Sequence, residues 1–185
     1  MTTFICILRG INVSGHRPVK MESLRAMFTE LGFSNPRTYI QSGNVVFKAP
    51  ESAEADLAAK ISGIIRQRLG FEVPALVMTR EYLLRITRNN PFITERNEDP
   101  SKLHVTFLAG DPATAALEKL SERTFAPDEF RTGERAVYLF CPNGYGNTKL
   151  SNAYLEKVLG TGATTRNFKT VGELLDLSSD AGNTQ

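Results

Sequence analysis

The sequence predicts an α+β protein made of two units, each with the element order βαββαβ. Three observations lead to this fold class: short apolar runs typical of buried strands, apolar residues repeated at helical spacing between them, and a second occurrence of the same order later in the chain. A chain of 185 residues is long enough for two small domains. In such units the helices pack on an antiparallel sheet, so we expect two ferredoxin-like units.

The first unit shows the clearer pattern. Met21, Leu24, Phe28 and Leu31 recur at helical spacing, and Gly32 ends that helix. Acidic residues gather near the start of the next helix, where the helix dipole favours them. The predicted elements are a strand over 4–8, a helix from 21 to 31, a hairpin of strands over 37–40 and 45–48, a helix over 57–69 and a strand over 72–78.

The second unit repeats this order with weaker signals. Asp111 and Pro112 predict an N-cap and first residue of a helix, Thr148 is a second candidate N-cap, and Thr170 to Glu173 has the capping-box pattern. Gly160 ends one helix. The predicted elements are a strand over 103–109, a helix after 112, hairpin strands over 125–131 and 136–141, a helix over 149–159, a short strand over 163–165 and a helix over 170–177.

The domain boundary is predicted between the two units. Thr79 caps a connecting helix that runs to Arg88, and the Asn-Asn-Pro-Phe string from Asn89 with the charged stretch after it interrupts the pattern. We therefore assign 1–78 to the first unit, 79–101 to the connection, 102–177 to the second unit and 178–185 to a flexible tail. The sequence does not fix the orientation of one unit relative to the other.

Composition narrows the function classes. The net charge is only +2, so no argument for wrapping DNA or adsorbing to membranes follows from the whole molecule. The two cysteines and two histidines are not spaced as metal ligands, so neither a metal nor a cofactor is predicted. The first residues lack a basic segment, and their apolar run is too short for a signal peptide or a membrane span. We expect a cytoplasmic protein with no membrane partner.

Four polar motifs carry the functional argument. Arg9 to Val13 and Gln41 to Asn44 interrupt apolar strands in the first unit, while Asn143 to Leu150 and Ala163 to Phe168 lie in the second. With these strings the chain resembles, over nearly its whole length, a bacterial family known as domain of unknown function 1697. The resemblance implies that these are family motifs, but it gives no reaction, ligand or role for them.

Topology predicts which motifs meet. In a βαββαβ unit the loop after the first strand and the hairpin between the second and third lie at one end of the sheet, so Arg9 and Asn12 should lie beside Gln41 to Asn44. The same argument groups Pro142 to Lys149, the Arg166 region and Asn89 to Phe92. The segments 1–21, 31–50, 135–155 and 157–172 contain basic residues and no Asp or Glu, and all four motifs fall within them.

These segments predict an anion site, because Arg, Lys, amide side chains and glycine-rich backbone are suitable donors for phosphate. Each motif also has a structural explanation: a tight turn at Gly43, a local cap by Asn12, a helix cap at Thr148 and an anchor for the last helix at Arg166. The Asn143 to Lys149 string lacks the spacing of a P-loop. The predicted ligand-binding residues are Arg9, Asn12, Gln41, Ser42, Asn44, Lys149, Arg166 and Asn167.

We expect the protein to bind a phosphate-bearing ligand, a nucleotide or a nucleic acid. One alternative is an enzyme acting on a phosphorylated metabolite, with Lys149 or His16 as acid or base, and enzyme status stays open because no catalytic triad is evident. A second alternative is a protein-interaction module with Tyr145 and Phe168 as exposed anchors. Aromatic residues do not follow the pattern of an RNA-recognition motif. Oligomeric state does not follow from the sequence.

Overall fold

The computed structural model describes residues 1–179 of the chain. It contains two four-stranded antiparallel sheets with packed helices, which confirms the predicted α+β fold class. The strand orders are β2-β3-β1-β4 and β6-β7-β5-β8, so the third strand of each unit lies between its first and second. This is the order expected for a ferredoxin-like βαββαβ unit.

Residue contacts divide the chain into two units. One comprises Met1–Leu84 together with the described residues from Glu173 onward, and the other comprises Arg85–Gly172. The division falls within a helix, upstream of the Asn89 to Pro100 segment in which the sequence suggested a boundary. The last described residues thus belong with the first unit.

A continuous apolar core packs against one face of the sheet in the first unit. Phe4, Phe28, Phe33 and Phe47 form a set of stacked and edge-to-face rings with centroids 4.8–6.0 Å apart. Such pairs add to the stabilisation that burial itself provides. Its elements are β1 (Thr2–Leu8), α1 (Met21–Glu30), β2 (Ser34–Tyr39), β3 (Asn44–Ala49), α2 (Glu54–Leu69), β4 (Ala75–Thr79) and the start of α3 (Arg80–Arg88).

The second unit follows the same plan with shorter helices. Leu120, Leu139, Leu150 and Leu155 are fully buried in its core, where the two helices meet the sheet. Its elements after α3 are α4 (Pro91–Thr94), a turn of 3-10 helix (Pro100–Lys102), β5 (Leu103–Leu108), α5 (Thr114–Ser121), β6 (Glu129–Gly133), β7 (Ala136–Phe140), a second 3-10 turn (Tyr145–Asn147), α6 (Asn152–Leu159), β8 (Ala163–Asn167) and the start of α7 (Phe168–Ser179).

Strand register confirms which connections share an end. In the first sheet Ile7 pairs with Asn44 and Leu8 pairs with Ala75, so the loop leaving β1 and the β2–β3 turn lie together. In the second sheet Leu103 pairs with Phe140 and His104 pairs with Asn167. The loop after β7 and the end of β8 therefore lie at the same end as the entry to β5.

Several helix starts predicted from the sequence are wrong, and local hydrogen bonds explain them. α5 begins at Thr114 with Ala113 as N-cap, so Asp111 does not cap it. α6 begins at Asn152 because the Ser151 hydroxyl, and not that of Thr148, accepts the first free N–H, from Tyr154 at 3.2 Å. Lys149 consequently precedes the helix instead of lying in its first turn.

The last helix also begins earlier than predicted. The Oδ1 of Asn167 accepts a hydrogen bond from the N–H of Thr170 at 2.7 Å, so α7 starts at Phe168 and the capping box at Thr170 is not used. The helix runs to Ser179, and Ser178 is buried, so the first two residues of the predicted tail are helical. The remainder of that tail, 180–185, lies outside the described residues.

Two further differences occur at turns. Asn90 caps the short helix α4 with Pro91 as its first residue, so a proline expected to interrupt structure instead starts a helix. Residues Phe125 to Asp128 form a turn, with Asp128 N–H donating to Phe125 O at 3.0 Å, and β6 starts only at Glu129. Within residues 1–179, none of the helices combines the length and apolar character needed to cross a membrane.

Candidate functional site

The loop after β1 is fastened to the β2–β3 turn by one side chain, that of Asn12. Its Nδ2 donates to Val19 O at 2.9 Å and to Gln41 O at 2.8 Å, while its Oδ1 accepts from Val19 N–H at 2.8 Å. Both amide hydrogens are thereby used within the protein. The predicted proximity of Asn12 to Gln41 is present, and the role of the Asn12 side chain is to fix the loop's shape.

Gly43 brings the same two segments into direct contact. Its carbonyl accepts from Leu8 N–H at 2.8 Å, and it has a φ of +83°. A Cβ at this position would lie 2.8 Å from Leu8 Cβ and 2.8 Å from Ile11 Cδ1, closer than real Cβ contacts allow. The glycine therefore serves the turn and also permits the close approach of the loop after β1.

The remaining polar residues of the turn stabilise it from inside. Asn44 is fully buried, and its Nδ2 donates to Tyr39 O at 3.0 Å and to Ser42 Oγ at 2.8 Å. Ile40 adopts a φ of +49°, which is rare and costly for a β-branched residue, and its side chain is 51% exposed. Asn44 and Ser42 thus build the turn, while Ile40 and Gln41 are displayed on its surface.

The middle of the loop after β1 is a small exposed turn. His16 N–H donates to Val13 O at 2.9 Å, and Asn12 N–H donates to Arg17 O at 3.1 Å, which closes residues 13–16 as a turn. Every residue from Val13 to Pro18 is exposed, and the apolar Val13 side chain is 58% exposed. We call 9–20 and 40–43 together the basic loop end.

Cations border the basic loop end. Arg17 lies across Gly10, since its Nη1 is 3.4 Å from the Cβ position that Gly10 lacks, which places its guanidinium beside the chain at Arg9. Lys20 is exposed at the N-cap of α1, and its side chain makes no capping hydrogen bond. Arg9 is half-buried, and its N–H donates to Pro74 O at 3.0 Å. An uncapped helix start beside cations attracts anions.

The second predicted cluster is divided by the pleat of β8. Arg166 pairs with Val105 and Asn167 pairs with His104, so consecutive side chains of β8 point to opposite faces of the sheet. The face that Asn167 shares also carries a chain of hydroxyls, because Thr165 Oγ1 lies 2.7 Å from Thr106 Oγ1 and donates to Asn152 Oδ1 at 2.7 Å. Asn167 caps α7, so its side chain is structural.

The loop that contains Lys149 is held by local contacts. Leu150 N–H donates to Thr148 Oγ1 at 3.1 Å, and Leu150 is buried in the core, while Lys149 is exposed. Tyr145 stacks on His104 with ring centroids 5.0 Å apart, so it is only partly accessible as an interaction anchor. Burial lowers the pKa of His104, which favours its neutral form.

The cysteines do not provide a nucleophile. Cys6 and Cys141 are both fully buried. Burial raises the pKa of Cys141 to about 11, so its thiol stays protonated at neutral pH. Among residues 1–179 no group of three His, Cys, Asp or Glu side chains is arranged to hold a metal ion.

The predicted proximity of the loop after β1 and the β2–β3 turn is confirmed, and Asn12, Ser42 and Asn44, three of the predicted ligand-binding residues, hydrogen-bond within these two segments. Arg17 and Lys20 were visible as cations in a segment without carboxylates, and that signal identifies them better than the motif does. The hydrogen bond from Asn12 to Gln41 could not be inferred because it joins segments distant in sequence, and those of Asn44 depend on the conformation of its own turn. The exposed residues of the site are Arg9 in part, Val13, His16, Arg17, Lys20, Ile40 and Gln41.

Comparisons with known proteins identify a family and a similar fold. Residues 1–138 match a protein family of unknown function, DUF1697. The fold is similar to that of a conserved bacterial protein from Streptococcus pneumoniae, with a TM-score of 0.75 and 23% sequence identity over 96% of this chain and 98% of that one. A search of the curated proteins gives no match.

Proposed function

The chain belongs to the DUF1697 family of unknown function, and from the geometry of its first unit we propose that it binds a single strand of nucleic acid at the basic loop end. The observation that carries the proposal is the Asn12 clamp, which holds a cation-bearing loop in one shape against the neighbouring turn. A fixed loop binds a ligand without the entropic cost of ordering itself.

Charge supports a phosphate-bearing ligand. Residues 1–21 and 31–50 contain no Asp or Glu, whereas Arg9, Arg17 and Lys20 lie in or beside the loop. Glu22 in the first turn of α1 is the nearest acidic residue along the chain. Lys and Arg next to an uncapped helix start are suited to phosphate oxygens, and contacts of this kind supply most of the affinity for nucleic acids.

The shape of the surface supports a strand over a small metabolite. The Val13 to His16 turn is exposed along its whole length, as are Ile40 and Gln41, so this surface projects outward. Val13 and Ile40 add apolar side chains beside the cations. Apolar contacts with bases are accessible in an unpaired strand and are hidden in an A-form duplex.

The experiment is a fluorescence anisotropy titration with a labelled RNA strand of about 12 nucleotides, a length within the range covered by single-strand binding domains. We expect the Arg17→Gln/Lys20→Gln double variant to bind at least about ten times more weakly, because two phosphate contacts are lost. Lys60→Gln, which removes an exposed lysine from α2, is the control and should bind like the wild type.

Two results would count against the proposal. Equal binding by the double variant and the wild type would show that the basic loop end is not the site. Binding of a mononucleotide with no gain for the longer strand would show that the ligand is a small phosphorylated molecule. Circular dichroism and a melting curve of each variant establish that the fold is retained.

A further inference from the structure

The second unit contains two adjoining cavities that no residue of the basic loop end reaches. The smaller, of about 330 Å³, lies between α5 and α6, and the larger, of about 410 Å³, lies beside β6. Arg123 borders both. The smaller cavity is lined by Lys119, Arg123, Tyr154, Lys157 and Val158.

Three cations converge on the smaller cavity. Lys119 is in the last turn of α5, Arg123 lies two residues after that helix ends, and Lys157 is in the last turn of α6. Lysines in the last turn of a helix favourably complement its dipole, which explains each lysine separately. The helix dipole does not explain why both lysines line the same cavity as Arg123. An anion bound in this cavity would offset the repulsion among the three cations.

Two nearby acidic side chains, Glu156 and Glu129, are engaged elsewhere, while Asp128 also borders the larger cavity. Glu156 on α6 accepts a hydrogen bond from Ala163 N–H at 3.0 Å through its Oε1. Glu129, which borders the larger cavity, pairs with Arg96 at 2.7 Å, and the hydrogen bond from Arg96 lowers the pKa of the Glu129 carboxyl. The cationic character of the smaller cavity is therefore not offset by these carboxylates.

An aromatic wall connects the two cavities. The Phe125 ring lies 5.4 Å from the Tyr154 ring and 5.9 Å from the Phe130 ring, both measured between centroids and both in edge-to-face geometry. Tyr154 lines the smaller cavity, and Phe125 and Phe130 line the larger one. A flat apolar group beside this wall would exchange water for aromatic contacts.

From this arrangement we propose that the second unit binds a phosphate monoester of a flat, aromatic molecule. The phosphate contacts Lys119, Arg123 and Lys157, and the aromatic group packs along Phe125 and Phe130 in the larger cavity. Arg offers a planar fork of donors and the lysines offer point charges, a combination suited to a phosphate dianion. The site is independent of the proposed nucleic-acid surface and shares no residue with it.

The test uses phenyl phosphate, inorganic phosphate and phenol as probes, each titrated into the full-length protein and followed by NMR chemical shifts. Phenyl phosphate should bind about ten times more tightly than either of the other two, because it alone uses both cavities. Cross-relaxation between its ring protons and those of Phe125 or Phe130 should be observed. Probes with equal affinity, or phenyl protons without contact to this wall, would overturn the proposal.

Variants separate the two halves of the site. Lys157→Gln should weaken phenyl phosphate and inorganic phosphate alike, by about tenfold, because a charged contact to phosphate is lost. Thr132 is exposed on β6 and borders the larger cavity, and a strand position accepts an aromatic residue readily. The bulk of the new side chain in Thr132→Trp should compete with the phenyl ring for this cavity. Binding of phenyl phosphate should then fall to the level of inorganic phosphate.

Lys60→Gln is the matched charge control and should change neither affinity. Arg17→Gln/Lys20→Gln should also leave phenyl phosphate binding unchanged, which distinguishes failure of this site from failure of the nucleic-acid surface. If Lys157→Gln retains wild-type affinity for phenyl phosphate, or if Arg17→Gln/Lys20→Gln abolishes it, the assignment to the second unit is wrong. The cross-relaxation measurement on the wild type decides the matter if Thr132→Trp does not fold.

Discussion

The two units share a strand order but differ at the end where their first strand leaves the sheet. In the first unit this end carries the long loop 9–20 and the turn 40–43, without an acidic residue. In the second unit the corresponding connections are the short link 109–113 and the turn 134–135, which contain Asp111 and Glu134. Glu134 pairs with Arg85 at 2.9 Å. One topology thus presents a cationic surface in one unit and a balanced one in the other.

This difference shows that the fold decides where connections meet, whereas loop length and charge decide what they can bind. The second unit has its cations in a different place, along α5 and α6. Substitutions that loosen the basic loop end without changing the sheet of the first unit therefore test what this loop end contributes to stability and to binding.

The largest effect is expected for Gly43→Ala. The new Cβ would meet Leu8 and Ile11 at 2.8 Å, and the residue would keep a φ of +83°. Overpacking of about 1–3 kcal/mol and a left-handed conformation costing about 1–2 kcal/mol predict a loss of about 2–5 kcal/mol in unfolding free energy. Urea denaturation measures it.

Gly32→Ala is the matched control, since Gly32 has a φ of +80° and no described atom lies within 4 Å of its Cβ position. It should lose only the conformational part, about 1–2 kcal/mol. If the two glycine variants are equally stable, the close approach of loop and turn at Gly43 is not a constraint on the fold.

Asn12→Gly should cost somewhat less, about 1.5–4.5 kcal/mol, because it removes three hydrogen bonds worth about 0.5–1.5 kcal/mol each while keeping the positive φ accessible. Hydrogen exchange should also accelerate at the amides of 13–19. Asn97, exposed with a φ of +49°, provides the control, and Asn97→Gly should stay within about 1 kcal/mol of the wild type. An equally small loss of unfolding free energy for Asn12→Gly would show that the hydrogen bonds of Asn12 to Val19 and Gln41 do not stabilise the loop.

Ile40→Asn should increase stability slightly, by about 1 kcal/mol, because asparagine adopts a left-handed conformation more readily than a β-branched residue. If exposed Ile40 contacts the ligand, the same variant should weaken RNA binding. Arg135→Asn, in the corresponding turn of the second unit at a φ of +46°, should leave RNA binding unchanged. A variant at Ile40 that is more stable and binds RNA as before would remove Ile40 from the site.

The smallest effect concerns His104 in the second unit. Burial lowers its pKa below the ordinary 6.5, so the unfolded chain binds more protons than the folded one below that pH. The contribution of His104 to stability is therefore complete above pH 6.5 and is lost progressively as the pH falls below it.

His104→Phe, which retains a ring beside Tyr145, should flatten the decline in unfolding free energy between about pH 6.5 and 5, the range in which an ordinary histidine titrates. An identical pH profile for wild type and His104→Phe would show that burial of His104 does not contribute.

Much of the fold could be predicted from residue patterns. The apolar runs at Phe4 and Val45 and the helical spacing from Leu57 to Leu69 determine which elements form, and strand order then brings the two polar connections together. Helix starts were less predictable where several cap residues occur close together. Thr148 and Ser151 both suit an N-cap, but the Ser151 hydroxyl accepts from Tyr154 N–H and caps α6, whereas Thr148 Oγ1 accepts from Leu150 N–H before the helix begins.

The roles of individual side chains at the site could not be predicted for a different reason. Asn12 and Asn44 look like ligand contacts because they are amides in glycine-rich turns, yet their partners are carbonyls elsewhere in the loop and turn. The bond from Asn12 to Gln41 joins two distant segments, and the bonds of Asn44 depend on the conformation of the turn, so both follow from the folded geometry and not from the sequence pattern. The cavities beside Arg123 were likewise hidden, because α5, α6 and β6 contribute to them separately.

The most direct test of the basic loop end is the salt dependence of RNA-strand binding, measured by anisotropy for three proteins. The logarithm of the affinity is plotted against the logarithm of the salt concentration, and the magnitude of the slope should fall by about 0.7 for each phosphate contact removed. The slope for Arg17→Gln/Lys20→Gln should therefore be smaller in magnitude than that of the wild type by about 1.4. Lys119→Gln/Lys157→Gln should retain the wild-type slope. Equal slopes for wild type and Arg17→Gln/Lys20→Gln, or a loss confined to the Lys119 and Lys157 variant, would contradict the account.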